Sequence, residues 1–178
     1  AAQIDGFGRL VADLVELTRG ERPAAHAEPL RLDELAHDVV ARARVHHPGI
    51  DFVVAASPAH VVADATALER ALGNLVENAV RHGAGPVEVH VADGTVRVRD
   101  HGAGIADVDK PRVFARFWRA DDARGREGSG LGLAIVQQVA RAHGGTVDVH
   151  DAAGGGAEFV LSLPVGAGAD GDAERRGS

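Results

Sequence analysis

Hydrophobic residues recur along this chain with two different periods, and the switches between them mark out its elements. Residues 1–19 place Ile4, Phe7, Val11 and Leu14 at helical spacing, with Leu10 and Leu17 widening the stripe, which predicts an amphipathic helix. Such a face calls either for a partner helix or for packing on its own domain. Residues 20–29 carry Pro23 and Pro29 with mixed charge and no period, and read as a linker. Leu30-Arg31-Leu32 predicts a short strand, and Asp33 is placed to cap a helix over Leu35, Val39 and Val40. Residues 50–56 and 60–62, separated by Ser57-Pro58, read as strands. Asp64 caps a longer predicted helix whose apolar face is Leu68, Leu72, Leu75, Val76 and Ala79, and which stops at His82-Gly83.

Alternation over 87–91 and 96–98 about Asp93-Gly94 predicts a hairpin. Residues 105–127 lack steady periodicity apart from the patch Val113-Phe114-Ala115-Arg116-Phe117-Trp118. A connection of that length inside a compact domain is usually functional, such as a lid. A helix running to His143 follows, then strands over 146–150 and 158–163 around a Gly-rich stretch, with Pro164 ending the last. Residues 165–178, chiefly Gly, Ala and charge, are expected to be a disordered tail.

Composition narrows the class. The 178 residues, 45% hydrophobic and 25% charged, suit one soluble domain with attachments. The absence of Cys excludes disulfides, thiolate catalysis and cysteine metal sites. No apolar run reaches the roughly 18 residues that span a bilayer. A net charge of -7 argues against nonspecific nucleic-acid binding.

The chemistry concentrates in a few short patterns. Gly128-Ser129-Gly130-Leu131-Gly132-Leu133 runs straight into a helix, and glycines there leave the first backbone N–H groups open to an anion. Taken alone, it reads equally as a flexible loop. Asn74 and Asn78 share one face of an otherwise apolar helix, either as surface amides or because something polar lies opposite. An Asn carbonyl can ligate magnesium. Asp100 ends a strand before Gly102 and Gly104, where it is either a turn aspartate or an acceptor for an exocyclic amine. Phe114, Phe117 and Trp118 are expected to form a small core within the lid, with Arg116 and Arg119 beside them reaching phosphate or solvent.

In order, Asn74-Leu-Val-Glu-Asn78, Asp100-His-Gly102-Ala-Gly104-Ile105, Phe114-Ala-Arg-Phe117 and Gly128-Ser-Gly130-Leu-Gly132-Leu resemble the N box, first glycine box, F box and second glycine box of sensor histidine kinases. A weaker third glycine box is similar to Gly154-Gly-Gly156-Ala157-Glu-Phe159. The similarity covers residues 30–164, and residues 1–19 look like the second helix of that family's dimerisation and phosphotransfer domain.

The resemblance implies an α/β two-layer sandwich, a mixed sheet covered by three helices, binding ATP and Mg2+. By matching position, Asn78 would hold the metal and Asn74 the phosphate end, while Asp100 would recognise the adenine amine. Gly102 and Gly104 would hinge the start of the lid, Phe114 and Phe117 would anchor it, Arg81 and His82 would lie near phosphate or ribose, and Ile105, Phe117 and Arg119 are expected among the nucleotide-binding residues. The backbone of Gly128, Ser129, Gly130, Leu131, Gly132 and Leu133 would meet the phosphates. The implied partners are a dimerisation domain bearing the acceptor histidine and a response regulator receiver. The full-length protein is expected to be a membrane-anchored homodimer, with this soluble part in the cytoplasm.

Three departures bear on mechanism. Hydrolytic relatives carry glutamate where Asn74 stands, and Asn cannot take a proton from water, so slow hydrolysis is expected. The family's acceptor motif, His followed by an acidic residue and then Pro, is absent, His37-Asp38 being nearest to it. Ala157 replaces a common Thr. The competing functional reading is a non-catalytic nucleotide-binding regulatory module. A serine kinase of similar fold and a dinucleotide-binding unit fit less well, the latter because Gly102-Ala-Gly104 lacks a third glycine and a following helix.

Overall fold

The computed structural model describes residues 26–119 and 129–165. The first predicted helix, residues 20–25 of the linker, lid residues 120–127, Gly128 and the tail beyond Val165 lie outside the described residues. In chain order the elements are β1 (Glu28–Arg31), α1 (Leu32–His46), β2 (Phe52–Ala56), β3 (His60–Ala63), α2 (Ala65–His82), β4 (Val87–Ala92), β5 (Thr95–Arg99), a 3-10 turn (Lys110–Arg112), α3 (Gly132–Ala142), β6 (Thr146–Asp151) and β7 (Ala157–Ser162).

Five strands form one mixed sheet in the order β2-β4-β5-β7-β6, with β2 parallel to β4 and the other neighbours antiparallel. Alternation puts Val87, Val89, Val91, Val96, Val98, Phe159 and Leu161 on the covered face, all 2% exposed or less. Glu88, Arg97 and Glu158 occupy the other face, where Arg97 pairs with Glu158 at 3.1 Å. Helix α1 packs on β2 and β4, α2 on β4 and β5, and α3 on β6, with α2 touching both other helices. This is the expected two-layer α/β sandwich. The antiparallel pair β1–β3 forms a separate small sheet.

Local chemistry explains the boundaries. Asp93 and Gly94, with φ of 48° and 72°, make the tight primed turn that matches strand twist. Asp64 caps α2 by accepting a hydrogen bond from Ala67 N at 3.1 Å. Its own N–H donates to His143 Nε2 at 2.9 Å, while His143 Nδ1 donates to the Val139 carbonyl at 2.7 Å, so the end of α3 is tied to the start of α2.

Some expectations change. Strand β1 begins at Glu28, inside the stretch read as linker, and Leu32 opens α1 instead of closing a strand. Asp33 is not the helix cap. That position is Arg31, without a side-chain cap bond, and the Asp33 carboxylate turns back to accept from Arg31 Nε at 2.9 Å and from Ala59 N at 3.1 Å. The physical reason is tertiary: Leu32 N also donates to the Ala59 carbonyl at 2.9 Å, so the carboxylate completes a bracket between α1 and the β2–β3 connection. Val165, placed in the tail by sequence, pairs with Val61.

Asp33 is 7% exposed, and the Arg31 guanidinium holds its carboxyl far below the ordinary carboxylate range. A depressed folded value means the stabilisation is complete above the unfolded value, about pH 4, and is lost as pH falls through the lower folded one. Asp33→Ala is therefore expected to cost about 1–3 kcal/mol at neutral pH. The gap to the parent in urea unfolding should narrow as the medium is acidified below about pH 4. An equal gap at both pH values would show that the carboxylate's charge is not what stabilises the bracket.

Candidate functional site

The described predicted residues fall in two groups along α2: one where the end of β5 meets the end of α2 and the β6–β7 turn, the other where Asn74 faces the N-terminus of α3. Asp100, the first residue after β5, is 4% exposed. Its Oδ1 accepts from Gly102 N at 2.8 Å and from Ala157 N at 3.3 Å, and its own N–H donates to the Ala157 carbonyl at 3.0 Å. The carboxylate is thus held by backbone donors through one oxygen. Gly156, with φ of 91°, makes this possible: a Cβ there would lie 1.9 Å from the Asp100 carbonyl oxygen. Gly102 sits against the His82 carbonyl, and Gly104 takes φ of 75° as the chain turns away. Ile105 packs partly buried against the core.

Asn74 and Asn78 lie half-buried on α2. Asn74 faces Gly132, whose Cβ position is 3.5 Å from Asn74 Oδ1. Its Nδ2 is buried and has no hydrogen-bond partner, an unsatisfied donor that costs about 1–3 kcal/mol. Helix α3 starts at the same place with no side-chain cap bond, and Ser129 Oγ accepts from Leu131 N at 3.3 Å. An orphan amide donor beside an uncapped helix N-terminus is a site complementary to an anion. Leu131 is fully buried and Leu133 partly so, which leaves the backbone to face a ligand.

The F segment is fastened to this loop. Phe117 N donates to the Gly130 carbonyl at 2.9 Å, and a Cβ on Gly130 would lie 3.0 Å from Phe117 Cα. Phe114 anchors the segment, meeting Phe159 edge-on with centroids 6.2 Å apart, and Val113 is 3% exposed. Phe117 does not anchor it. With φ of 62° and 64% exposure it points outward, because the backbone bond to Gly130 sets its conformation.

Arg81 is expected near phosphate but lies 3.1 Å from Glu77, which also meets His47 Nε2 at 3.1 Å. His82 brings its carbonyl to Gly102 and keeps an exposed side chain, while Arg119 is half-buried at the end of the described segment. A cleft of 360 Å³ lined by Phe114, Arg116, Gln137 and Arg141 lies beside α3 and contains neither Asn74, Asn78, Asp100 nor the glycines of the boxes. Among the described residues no group of three or more His, Cys, Asp or Glu could hold a metal ion.

Sequence reasoning gave Ala157 only as a departure from Thr, yet its N–H is one of the donors that hold Asp100. The Gly154-Gly-Gly156 run was the available signal. Lys110, whose Nζ lies 2.6 Å from both Asp107 and Asp151, carried no local signal.

Comparison with known proteins agrees with this geometry. Residues 63–167, more than half of the chain, match the family model of histidine kinase-, DNA gyrase B- and HSP90-like ATPases. The chain is 40% identical over 162 residues to the signal transduction histidine-protein kinase/phosphatase MprB of Mycolicibacterium vanbaalenii, covering 87% of this chain and 34% of that protein. It is 39% identical over 172 residues to the sensor-like histidine kinase SenX3 of Mycobacterium tuberculosis, covering 89% and 42%. It therefore spans less than half the length of these relatives. Among solved structures, a mycobacterial sensor histidine kinase MprB superposes with a TM-score of 0.68 at 32% identity, covering 78% of this chain and 97% of that one. Full-length ShkA, solved in complex with AMPPNP, superposes with a TM-score of 0.74 at 32% identity, covering 88% and 35%. On these matches this chain belongs to the histidine kinase-, DNA gyrase B- and HSP90-like ATPase family, as the ATP-binding catalytic domain of a sensor histidine kinase.

Proposed function

We propose that this chain binds ATP with Mg2+ and directs the γ-phosphoryl group to a histidine on a dimerisation domain, for relay to a response regulator. The observation that carries this reading is the buried, unpartnered Nδ2 of Asn74 beside the uncapped start of α3. A phosphate there would satisfy the amide and lie on the positive end of the helix dipole. ATP supplies the transferable phosphoryl group when bound.

Each residue has a separable task. Asp100 accepts the adenine amine with the carboxylate that Gly102 and Ala157 hold in place. Asn78 offers a carbonyl oxygen to Mg2+, a hard ion that keeps phosphate and water oxygens as its other ligands. Gly130 and Gly132, with Gly128 and Ser129 before them, present backbone to the phosphates. Gly104 and Ile105 begin the covering segment and Phe117 and Arg119 end its described part, while Arg81 and His82 border the site from α2. Catalysis of phosphoryl transfer is chiefly positioning and charge neutralisation, so these contacts suffice without a covalent enzyme intermediate.

No side chain at Asn74 can act as a base on water, which favours transfer over hydrolysis. None of the chain's 10 histidines stands in the acceptor pattern, so the acceptor is supplied by another segment or chain. Residues 1–19 are read as part of the dimerisation domain, and the catalytic domain as running from strand β1 at Glu28 to Val165. No described helix is long and apolar enough to cross a membrane. Cytoplasmic placement within a membrane-anchored homodimer is proposed from the relatives. A regulatory module that binds nucleotide without transferring phosphate has no observation in its favour that the kinase reading lacks.

Calorimetric titration with a non-hydrolysable ATP analogue is expected to show Mg2+-dependent binding that weakens by about tenfold or more in Asn78→Ala, a loss of about 1.4 kcal/mol or more. Metal-independent binding, or an unaffected variant, would remove Asn78 from the metal. With radiolabelled ATP, the chain alone should stay unlabelled at histidine while an added dimerisation domain is labelled. Hydrolysis should run about a hundredfold or more below transfer, the low end of what a missing general base costs. Brisk turnover by the chain alone would refute the kinase assignment in favour of a hydrolase.

A further inference from the structure

Contacts from three directions converge on the turn between β6 and β7. Gly154, Gly155 and Gly156 take φ of 85°, 107° and 91° there, a backbone that glycine alone adopts readily and that loses much freedom when ordered. On its inner side, Gly156 and Ala157 press on and bond Asp100. On the outer face of the sheet, Arg99 Nη2 donates to the Ala153 carbonyl. From the covering segment, Lys110 Nζ lies 2.6 Å from Asp151 Oδ2 at the end of β6 and 2.6 Å from Asp107 Oδ1.

Lys110 is the chain's only lysine, and its side chain is 19% exposed although Asp151 is 69% exposed. It stands in a closed unit: Asp109 N donates to the Ala106 carbonyl at 2.8 Å, Val113 N to the Asp109 carbonyl at 3.1 Å, and Val113 and Phe114 enter the core just beyond. The Asp107 pair is internal to this unit. The Asp151 pair crosses 41 positions and joins it to the glycine turn. Gly104 approaches the same turn, its Cβ position lying 3.2 Å from the Gly156 carbonyl oxygen.

We propose that Lys110 and Asp151 are positioning residues for nucleotide binding: their ion pair couples the carboxylate that receives the base to the root of the covering segment, so that both are ordered together. The inference rests on the reading of Asp100 as the base-recognising group. Neither residue touches the nucleotide. The pair acts through the glycine turn, whose Ala157 N–H and Gly156 backbone set the Asp100 carboxylate. An ordinary surface ion pair would leave those backbone positions unchanged when removed.

The test uses the whole 178-residue chain with Lys110→Met, Asp151→Asn and both together. Amide hydrogen exchange without nucleotide should accelerate at Gly102 and Ala157 in each single variant. Binding of AMPPNP with Mg2+ should weaken about two- to fivefold in each, and no further in the double. Unchanged exchange at those two amides, or additive losses in the double variant, overturns the coupling. Asp100→Asn separates the two readings. If exchange responds to Lys110→Met while Asp100→Asn binds the analogue like the parent, the base-recognition reading fails and the turn-to-root coupling is upheld.

Discussion

One buried carboxylate oxygen, Asp100 Oδ1, carries the constraint on which the nucleotide end of this domain depends. A charge removed from water must be compensated, and here backbone N–H groups from Gly102 and Ala157 do so. The register of the central strands delivers them: Arg99 pairs with Glu158, which sets Asp100 opposite Ala157. A one-residue slip would turn Val96 and Val98 toward solvent and place a different residue at the pocket, so hydrophobic burial and site geometry enforce the same register.

The proposed phosphate end is built differently, from a helix terminus and an unpaired amide instead of a compensated charge. Helix α2 unites the two ends, since it carries Asn74 along its length and brings the His82 carbonyl to Gly102 at its end. Its start is held by His143 at the end of α3, so the helix whose N-terminus is proposed to receive phosphate is fixed by its opposite end. The desolvation cost of an unsatisfied donor at Asn74 is offset by the burial of Leu72, Leu75 and Val76 on the same helix.

The parts legible in the sequence were those with local causes. The apolar face of α2 follows from its period, the hairpin from Asp93-Gly94, and the cap at Asp64 from its side chain's reach to Ala67. The family boxes were readable because close backbone approach demands glycine at Gly130 and Gly156. Asp33, Phe117 and Val165 were misjudged because distant partners decide them: Ala59, Gly130 and Val61. No local pattern distinguishes a capping aspartate from one recruited by Arg31, and none tells which Phe of the F segment reaches Phe159. Arg81, similarly, was drawn to phosphate by position, whereas Glu77 one turn earlier claims its guanidinium.

The placement of β7 carries a consequence for how the domain is made. This strand, the last of the described strands, lies between β5 and β6 and supplies Phe159 and Leu161 to the core. Until it emerges during synthesis, β5 has an open edge and Asp100 lacks Ala157, so the earlier strands cannot close the sheet as they are made. Folding of the whole site thus waits on the final strand, and a nascent chain halted before Ala157 would expose the β5 edge to other chains.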